Sequence, residues 1–310
     1  MPWLDNARIL ELTDVPEHLV ILGGSYIALE FGQIFRRFGA QVTIIERGSQ
    51  LVFREDADVA VAITEILELE GIDVVLDASA VSGAPEREGV ALTIEQAGEQ
   101  RRVIGSHLFV AVGRTPNSDG LKADTAGIEL DDRGFIVVDD YCRTTADGVF
   151  PVGDINGHGA FIHTSVNDAE IVLDQMRGGS RKLSDRFPVY DLFIDPALGR
   201  VGMTEKEAVA KGLNVLTATR RMSQIGRAKE MGETLGFAKL LVDADADTDL
   251  ILGAAILGPG GDEIVNMLAA FMYSGLPCRR YRKSVLVHPT ISELMPWILD
   301  SLKPVESSVG

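Results

Sequence analysis

Hydrophobic positions along the chain alternate between strand and helix periods. Val20-Ile21-Leu22 is an unbroken apolar run, the pattern of a strand buried on both faces in a parallel sheet. It stops at Gly23-Gly24-Ser25, and apolar spacing of helical period predicts a helix from residue 26 to about 38. A second apolar run, residues 42–45, ends in Glu46. Residues 56–69 again carry helical spacing (Val59, Ile63, Ile66, Leu67) and lead through Gly71 into IDVVL, a further strand. VALTIEQ (90–96) alternates and reads as antiparallel sheet, with residues 101–104 as its partner. Residues 108–112 form a buried strand that ends at Gly113-Arg114-Thr115-Pro116-Asn117.

The character changes after residue 118. Short strands are predicted at 135–138 and within GVFPVGDING (148–157), the latter ending at Gly153-Asp154. A helix is predicted from about 160 to 176. Arg177-Gly178-Gly179-Ser180-Arg181 then reads as a helix stop and a polar link. Beyond Phe187-Pro188, strand patterns at 215–220, 237–243 and 250–257 mix with an amphipathic helix at 262–274, the signature of an α+β layer. No internal repeat or low-complexity tract interrupts the order.

With 310 residues the chain has room for more than one core, and 46% apolar against 24% charged residues places it among ordinary globular proteins. A net charge of −17 argues against nucleic-acid partners and against anionic membrane surfaces. No apolar run approaches the roughly 18 residues of a membrane span, and the first residues, MPWLDNARILEL, lack the basic flank and apolar core of a secretory signal. A cytoplasmic location is expected. Cys142 and Cys278 lie far apart and outside any paired-cysteine spacing, so both are expected to be free thiols, with no local redox couple or metal site.

Strand, glycine turn, helix, strand and terminal acid over residues 20–46 make a dinucleotide-binding βαβ unit. Gly23 permits the tight turn, and amides at the helix start can face a pyrophosphate where the helix dipole favours negative charge. Ala28 is small enough for the helix to lie close on the strand, and Glu46 is placed to accept hydrogen bonds from ribose hydroxyls. Ser25 stands where the fingerprint has a second glycine, which narrows the phosphate's approach without closing it. Asp154, at a strand end before a helix, can accept hydrogen bonds from a polyol or ribose, or simply cap a turn. In His288-Pro289-Thr290-Ile291-Ser292-Glu293, a carboxylate bonded to an imidazole would prepare a general base. The same residues also fit a helix start, with Thr290 and Glu293 as a capping box and Pro289 beside it.

GGSYIALEFGQ, VGRTPN, VFPVGD and HPTISE, in this order and across essentially the whole chain, resemble the class I pyridine nucleotide–disulfide oxidoreductases, flavoproteins of the dihydrolipoamide dehydrogenase and glutathione reductase type. The resemblance is nearest to mercuric-reductase-like members. It implies an α/β fold: a Rossmann-like NAD(P)-binding domain at 1–118, a second segment of an FAD-binding domain at 119–182, and an α+β dimerisation domain at 183–310. By the same resemblance, Gly23, Gly24, Ser25, Tyr26, Ile27, Glu30, Glu46 and Arg47 would serve NAD(P)H, with Tyr26 gating the nicotinamide pocket. Glu30 would pair with a lysine near the flavin, and Val81, Gly113 and Arg114 would belong to the nucleotide site. Gly153 and Asp154 would hold the ribityl–phosphate part of FAD, with Ile162 and His163 near its ring system. His288, oriented by Glu293, would be the base for thiol–disulfide exchange across a homodimer interface formed by 183–310.

The chain departs from the family's pattern. The flavin-binding glycine fingerprint and the C-x-x-x-x-C redox pair that open such chains are not among its residues, so the expectation is a truncated form lacking about 140–150 residues, one ordinary domain. The lysine partner of Glu30 would go with them. A vicinal cysteine pair for mercury is not found either, and His288 stands where mercury reductases typically carry a tyrosine, so a disulfide or related small-molecule acceptor is expected instead. Glu46 favours NADH over NADPH, with Arg47 and Arg54 close enough in sequence to offset part of its repulsion of a 2′-phosphate. The alternative expectation is a non-catalytic NAD(H)-binding dimer module. An apolar surface near Asp154 or Glu30 would argue for truncation, and a closed polar one for a module that stands alone.

Overall fold

The computed structural model describes residues 3–87, 89–245 and 247–305. It falls into two compact units: residues up to Val112 together with those from Pro188 onward, and residues Gly113–Phe187.

The first unit begins with a parallel sheet. Strands β1 (His18–Leu22), β2 (Gln41–Ile45) and β3 (Asp73–Val75) are joined by helices α1 (Tyr26–Arg37) and α2 (Ala57–Leu69). An antiparallel three-stranded sheet, β4 (Ala78–Glu86), β5 (Gly89–Gln96) and β6 (Glu99–Gly105), is inserted before β7 (His107–Val110) returns to pair with β1. The parallel order is β3-β2-β1-β7. The apolar runs of β1 and β2 thus each lie between two neighbouring strands, and Leu19, Ile21, Val42 and Ile44 there, with Phe109 on β7, are fully or almost fully enclosed. Helix α1 lies close on this sheet through Ala28, as expected, and also through Gly32, where a Cβ would come within 3.3 Å of both Ile21 and Ile44. Strand β4 was not anticipated. Its sequence, ASAVSGAPE, buries only Ala78, contains Pro85 and lies at the sheet edge, where apolar alternation is not required.

After Pro188 the chain adds a six-stranded antiparallel sheet to the same unit, in the order β13-β10-β11-β12-β9-β8. Its strands are β8 (Val189–Leu192), β9 (Leu198–Gly202), β10 (Val215–Arg221), β11 (Phe237–Asp243), β12 (Ile251–Leu257) and β13 (Lys303–Pro304). The accompanying helix Gly261–Tyr273 packs on β9 and β12, and a short helix follows β9 at Glu205–Ala210. One apolar core runs from the parallel sheet through the two βαβ helices to Leu192, Leu198, Phe237 and Leu257.

The second unit is mostly loops and 3₁₀ turns around α3 (Ile162–Met176). Two expectations are corrected here. Residues 135–138 form no strand, only an isolated bridge between Ile136 and Leu130, and 148–157 form none either. The physical reason is the lack of an adjacent strand: the Gly153 amide bonds a side chain, and the chain turns into a 3₁₀ helix at Asp154–Asn156. The small core here is Cys142, Ile171, Val172 and Leu183. By contrast Ile162 (85% exposed), Val166, Leu173 and Met176 stand open along another face of α3. Among the described residues, no helix is long and apolar enough to cross a membrane.

Candidate functional site

The glycine turn after β1 is fixed by its surroundings. Gly23 has φ +111°, and a Cβ there would lie 2.5 Å from the carbonyl oxygen of Ala111. The Gly24 amide donates to Glu46 Oε2 at 2.7 Å, and Glu46 Oε1 accepts from the Gly48 amide at 2.8 Å. Val52 N donates to the Gly24 carbonyl at 2.8 Å, so the loop after β2 is stapled to the turn. Ser25 occupies the N-cap of α1 and makes no side-chain capping bond there, so the first amides of the helix, those of Tyr26 and Ile27 among them, are not taken by its hydroxyl. Arg47 is exposed beside Glu46, and the Arg54 guanidinium lies over the Phe53 ring. Val81 stands half-exposed on β4, at an irregularity in its pairing with β5.

Tyr26 does not stand alone. Its hydroxyl donates to Glu55 Oε1 at 2.9 Å, where the Tyr190 hydroxyl also donates at 2.8 Å, and the two rings lie 5.6 Å apart. Burial, then the Glu55 charge, push the Tyr26 hydroxyl well above the usual phenol range. Glu55 is 0% and Arg200 2% exposed, with Arg200 Nε 3.7 Å from Glu55 Oε2. Next to them Asp56 accepts amides of Glu205 and Lys206, and Lys239 Nζ reaches Asp56 (3.2 Å), Asp58 (3.0 Å) and Glu205 (2.9 Å). Burial opposes the charge of Asp56, but Lys239 and the two amides outweigh it and hold the carboxyl below its ordinary range. Glu30 has one oxygen taken by the Phe193 amide at 2.9 Å, and burial raises its carboxyl.

In the second unit, Gly113 and Arg114 open the segment, and Arg114 Nη2 lies 3.1 Å from Asp154 Oδ2. Gly153 has φ +81°, and its amide donates at 2.9 Å to Asp168, which is 1% exposed. Asp168 also accepts from Asn156 Nδ2 at 2.7 Å and pairs with Arg186 at 2.6 Å. This knot sets the path of the chain through Asp154. At the start of α3, Thr164 Oγ1 closes on the Phe161 backbone, Ile162 is open, and the exposed His163 ring stacks on Phe161 at 5.3 Å.

His288 and Glu293 are brought together: Nδ1 lies 2.9 and 3.0 Å from the two carboxylate oxygens, while the imidazole is 81% exposed. Thr290 Oγ1 accepts the Glu293 amide at 3.2 Å, as in a capping box, but the Glu293 carboxylate is engaged by His288. Cys142 and Cys278 are free and buried, and burial raises their thiols to about 11 and about 12.

Sequence reasoning missed Glu55, Tyr190, Arg200, Asp168 and Arg186. One signal was present: an arginine inside the small, apolar strand LGRVG (198–202) has to find a buried acid.

Residues 2–169 match the family described as pyridine nucleotide-disulphide oxidoreductase, and residues 190–299 match its dimerisation domain. The Escherichia coli (strain K12) protein named "Probable pyridine nucleotide-disulfide oxidoreductase RclA" is 38% identical over 93% of this chain and 65% of its own length. The dihydrolipoyl dehydrogenase of Geobacillus stearothermophilus is 32% identical over 94% of this chain and 62% of its own. The chain therefore spans somewhat under two-thirds of these curated relatives. The solved structure of the "HOCl-induced flavoprotein disulfide reductase RclA" from E. coli superposes with a TM-score of 0.87 and 35% identity, covering 96% of this chain and 67% of that one. LpdA from Mycobacterium tuberculosis, at 23% identity and a TM-score of 0.87, shares the fold. Members of this group bind FAD and NAD(P)H, and on these matches the chain belongs to the pyridine nucleotide-disulphide oxidoreductase family.

Proposed function

We propose that this chain carries the nicotinamide-binding, second flavin-binding and dimerisation segments of an NAD(P)H-dependent flavoprotein disulfide reductase, with residues 1–118, 119–182 and 183–310 as the three domains. The observation that carries this reading is the glycine turn bound to Glu46 at the N-terminus of α1. A turn tied to its own acid, ahead of uncapped amides, suits a dinucleotide's pyrophosphate and ribose together. Each Glu46 oxygen accepts one amide and keeps a lone pair for a ribose hydroxyl, while its charge opposes a 2′-phosphate. NADH is therefore favoured over NADPH, despite Arg47 next door.

Bound together, nicotinamide and flavin supply hydride transfer and its onward delivery as electrons to a disulfide or related small-molecule acceptor. The chain's own residues orient and protonate. Gly23, Gly24, Ser25, Tyr26 and Ile27 would hold the dinucleotide, Val81, Gly113 and Arg114 would each serve the nucleotide, and Glu30 would pair with a lysine near the flavin. Gly153 and Asp154, braced by Asp168, would accept from the flavin's ribityl hydroxyls, beside Ile162 and His163. Glu293 would hold His288 with its Nε2 outward, as the base for thiol–disulfide exchange across the homodimer interface, the redox cysteines of that exchange lying outside this chain's residues. A homodimer in a reducing cytoplasm fits this reading and the two buried, free thiols.

The open apolar face of α3 favours a further flavin-binding segment over a self-sufficient binding module. The purified chain incubated with FAD and then with NADH under anaerobic conditions tests the assignment. Retained flavin absorbance that bleaches with NADH, and does so at lower concentration than with NADPH, supports it. Failure of the chain to bind either coenzyme sinks it. Binding of NADH without retention of flavin makes the chain a nucleotide-binding dimer fragment, the enzymatic activity belonging to a longer parent.

A further inference from the structure

The loop that presents His288 is held at its ends and by one hydroxyl. Upstream, Cys278 and Tyr281 are buried in the core beneath the six-stranded sheet, and downstream Ile291, Met295 and Ile298 enter the same core. Between these anchors Val285 is 97% and Val287 76% exposed, so apolar packing does not fix the path. Backbone pairing does not fix it either: among the described residues, the amides from Val285 to His288 donate to no backbone carbonyl. Thr290 supplies what is missing. Its hydroxyl proton goes to the Val287 carbonyl at 2.8 Å, so its oxygen accepts the Glu293 amide at 3.2 Å and faces the Ser292 hydroxyl at 3.4 Å. One side-chain oxygen thus ties the residue before the imidazole to the residue that carries the carboxylate.

The tie bears on which ring nitrogen holds the proton. A carboxylate only accepts, so the contact of Nδ1 with both Glu293 oxygens places the proton on Nδ1 and leaves the lone pair on Nε2. With the ring 81% exposed, water competes for each nitrogen, and the pairing lasts only while the two side chains stay in register. We propose that Thr290 is a positioning residue that sets the tautomer of His288: its hydroxyl fixes the spacing between Val287 and Glu293, and this keeps Nε2 free to accept a proton. The role rests on the reading of His288 as a base, and Thr290 acts only through the His288–Glu293 pair. A plain capping role differs in its consequence. It supports the turn at Ser292–Leu294 and leaves the ring proton where it was.

Magnetic resonance of the full chain, isotope-labelled at the ring nitrogens of its five histidines, reports the tautomer directly at alkaline pH. His288→Gln identifies the signal, and Glu293→Ala gives the ratio of Nδ1–H to Nε2–H with no carboxylate to hold it. Thr290→Val keeps the shape and removes the hydroxyl, and the ratio should fall by about 2–5-fold, most of the way to that of Glu293→Ala. Thr290→Ser keeps the hydroxyl and should hold the ratio within about 2-fold of the native one. Thr290→Ala, a second variant without the hydroxyl, should match Thr290→Val.

An unchanged ratio in both hydroxyl-free variants overturns the positioning role, even where they melt earlier, because Thr290 is then a helix cap only. A fall in Thr290→Ser as large as in Thr290→Val overturns it as well, by assigning the effect to the methyl group. If neither hydroxyl-free variant folds, the hydroxyl is a general support of the fold and the role is overturned too. A native chain that carries the proton on Nε2 overturns the base reading, and the positioning role with it. A native chain with the proton on Nδ1 leaves the base reading standing, whatever the Thr290 variants do.

Discussion

Each of the two units gathers a glycine turn around one carboxylate, and the two turns are finished to different degrees. Glu46 takes the amides of Gly24 and Gly48, and the surrounding apolar residues, Leu51 and Val52 among them, are buried in a continuous core. Asp168 takes the amide of Gly153 and the amide group of Asn156 and adds Arg186, yet the helix that bears it buries only Ile171 and Val172 among its larger apolar residues. Hydrogen-bonded order and apolar cover are thus separable. The second turn is held by polar contacts inside a segment whose helix still offers Ile162, Val166, Leu173 and Met176 to solvent. A polar knot can hold a loop whose helix keeps one apolar face open.

The contrast can be tested by substitution. Asp168→Ala should do the most damage, about 3–5 kcal/mol in urea unfolding of residues 113–187, because it leaves Arg186 half of a buried pair. Hydrogen exchange should show the loss first at Gly153 and Asn156, and unchanged protection there would refute the bracing role. In the first unit, Gly23→Ala should cost about 2–3 kcal/mol by thermal unfolding and abolish NADH binding, since both the positive φ and the Ala111 carbonyl oppose a Cβ. Glu46→Ala should cost less, about 1–2 kcal/mol, because water can reach the released amides at this half-buried position, while NADH affinity still drops.

A pH-dependent effect comes next. The Asp191 carboxyl is pushed up to about 6 by burial, and further by the charges of Asp262 and Glu263. Its folded value lies above its unfolded one, so the native state binds the extra proton and stability declines as pH rises from about 4 to 6. Asp191→Asn should therefore raise the melting temperature by about 2 °C at pH 7.5 and leave it unchanged below pH 4. A gain of equal size at both pH values would show that charge is not the cause. The smallest effect should come from the open face of α3. Replacing Ile162 and Leu173 by Gln should shift stability by less than about 0.5 kcal/mol while improving solubility, whereas Ile171→Ala on the buried side should cost about 2–4 kcal/mol.

The βαβ unit was legible because strands enclosed on both faces must be apolar throughout, and Val20–Leu22 and the run before Glu46 leave few other readings. Glu46 and the His288–Glu293 pair were legible for a similar reason, since their partners lie within the same short motif. The apolar residues around Phe135 and Phe150 misled because strand propensity needs a neighbouring strand, which neither segment has. The links that escaped notice run between distant parts of the chain. Tyr26, Glu55, Tyr190 and Arg200 meet only once the six-stranded sheet docks, and Glu55 and Asp56 read in sequence as ordinary acids ahead of a helix.

Asp56 has a double employment with a bearing on the molecule's ancestry. It stands at the N-cap of α2 in the nucleotide-binding half, while its oxygens cap the helix Glu205–Ala210 in the dimerisation half and receive Lys239. A gene encoding either half alone would leave the Glu205 and Lys206 amides without their acid, with only the Thr204–Glu207 capping box at that helix start, or leave that acid without its cation. Recombination between these halves would therefore be selected against unless both sides of the junction were exchanged at once, and the pair is expected to be inherited as a single piece.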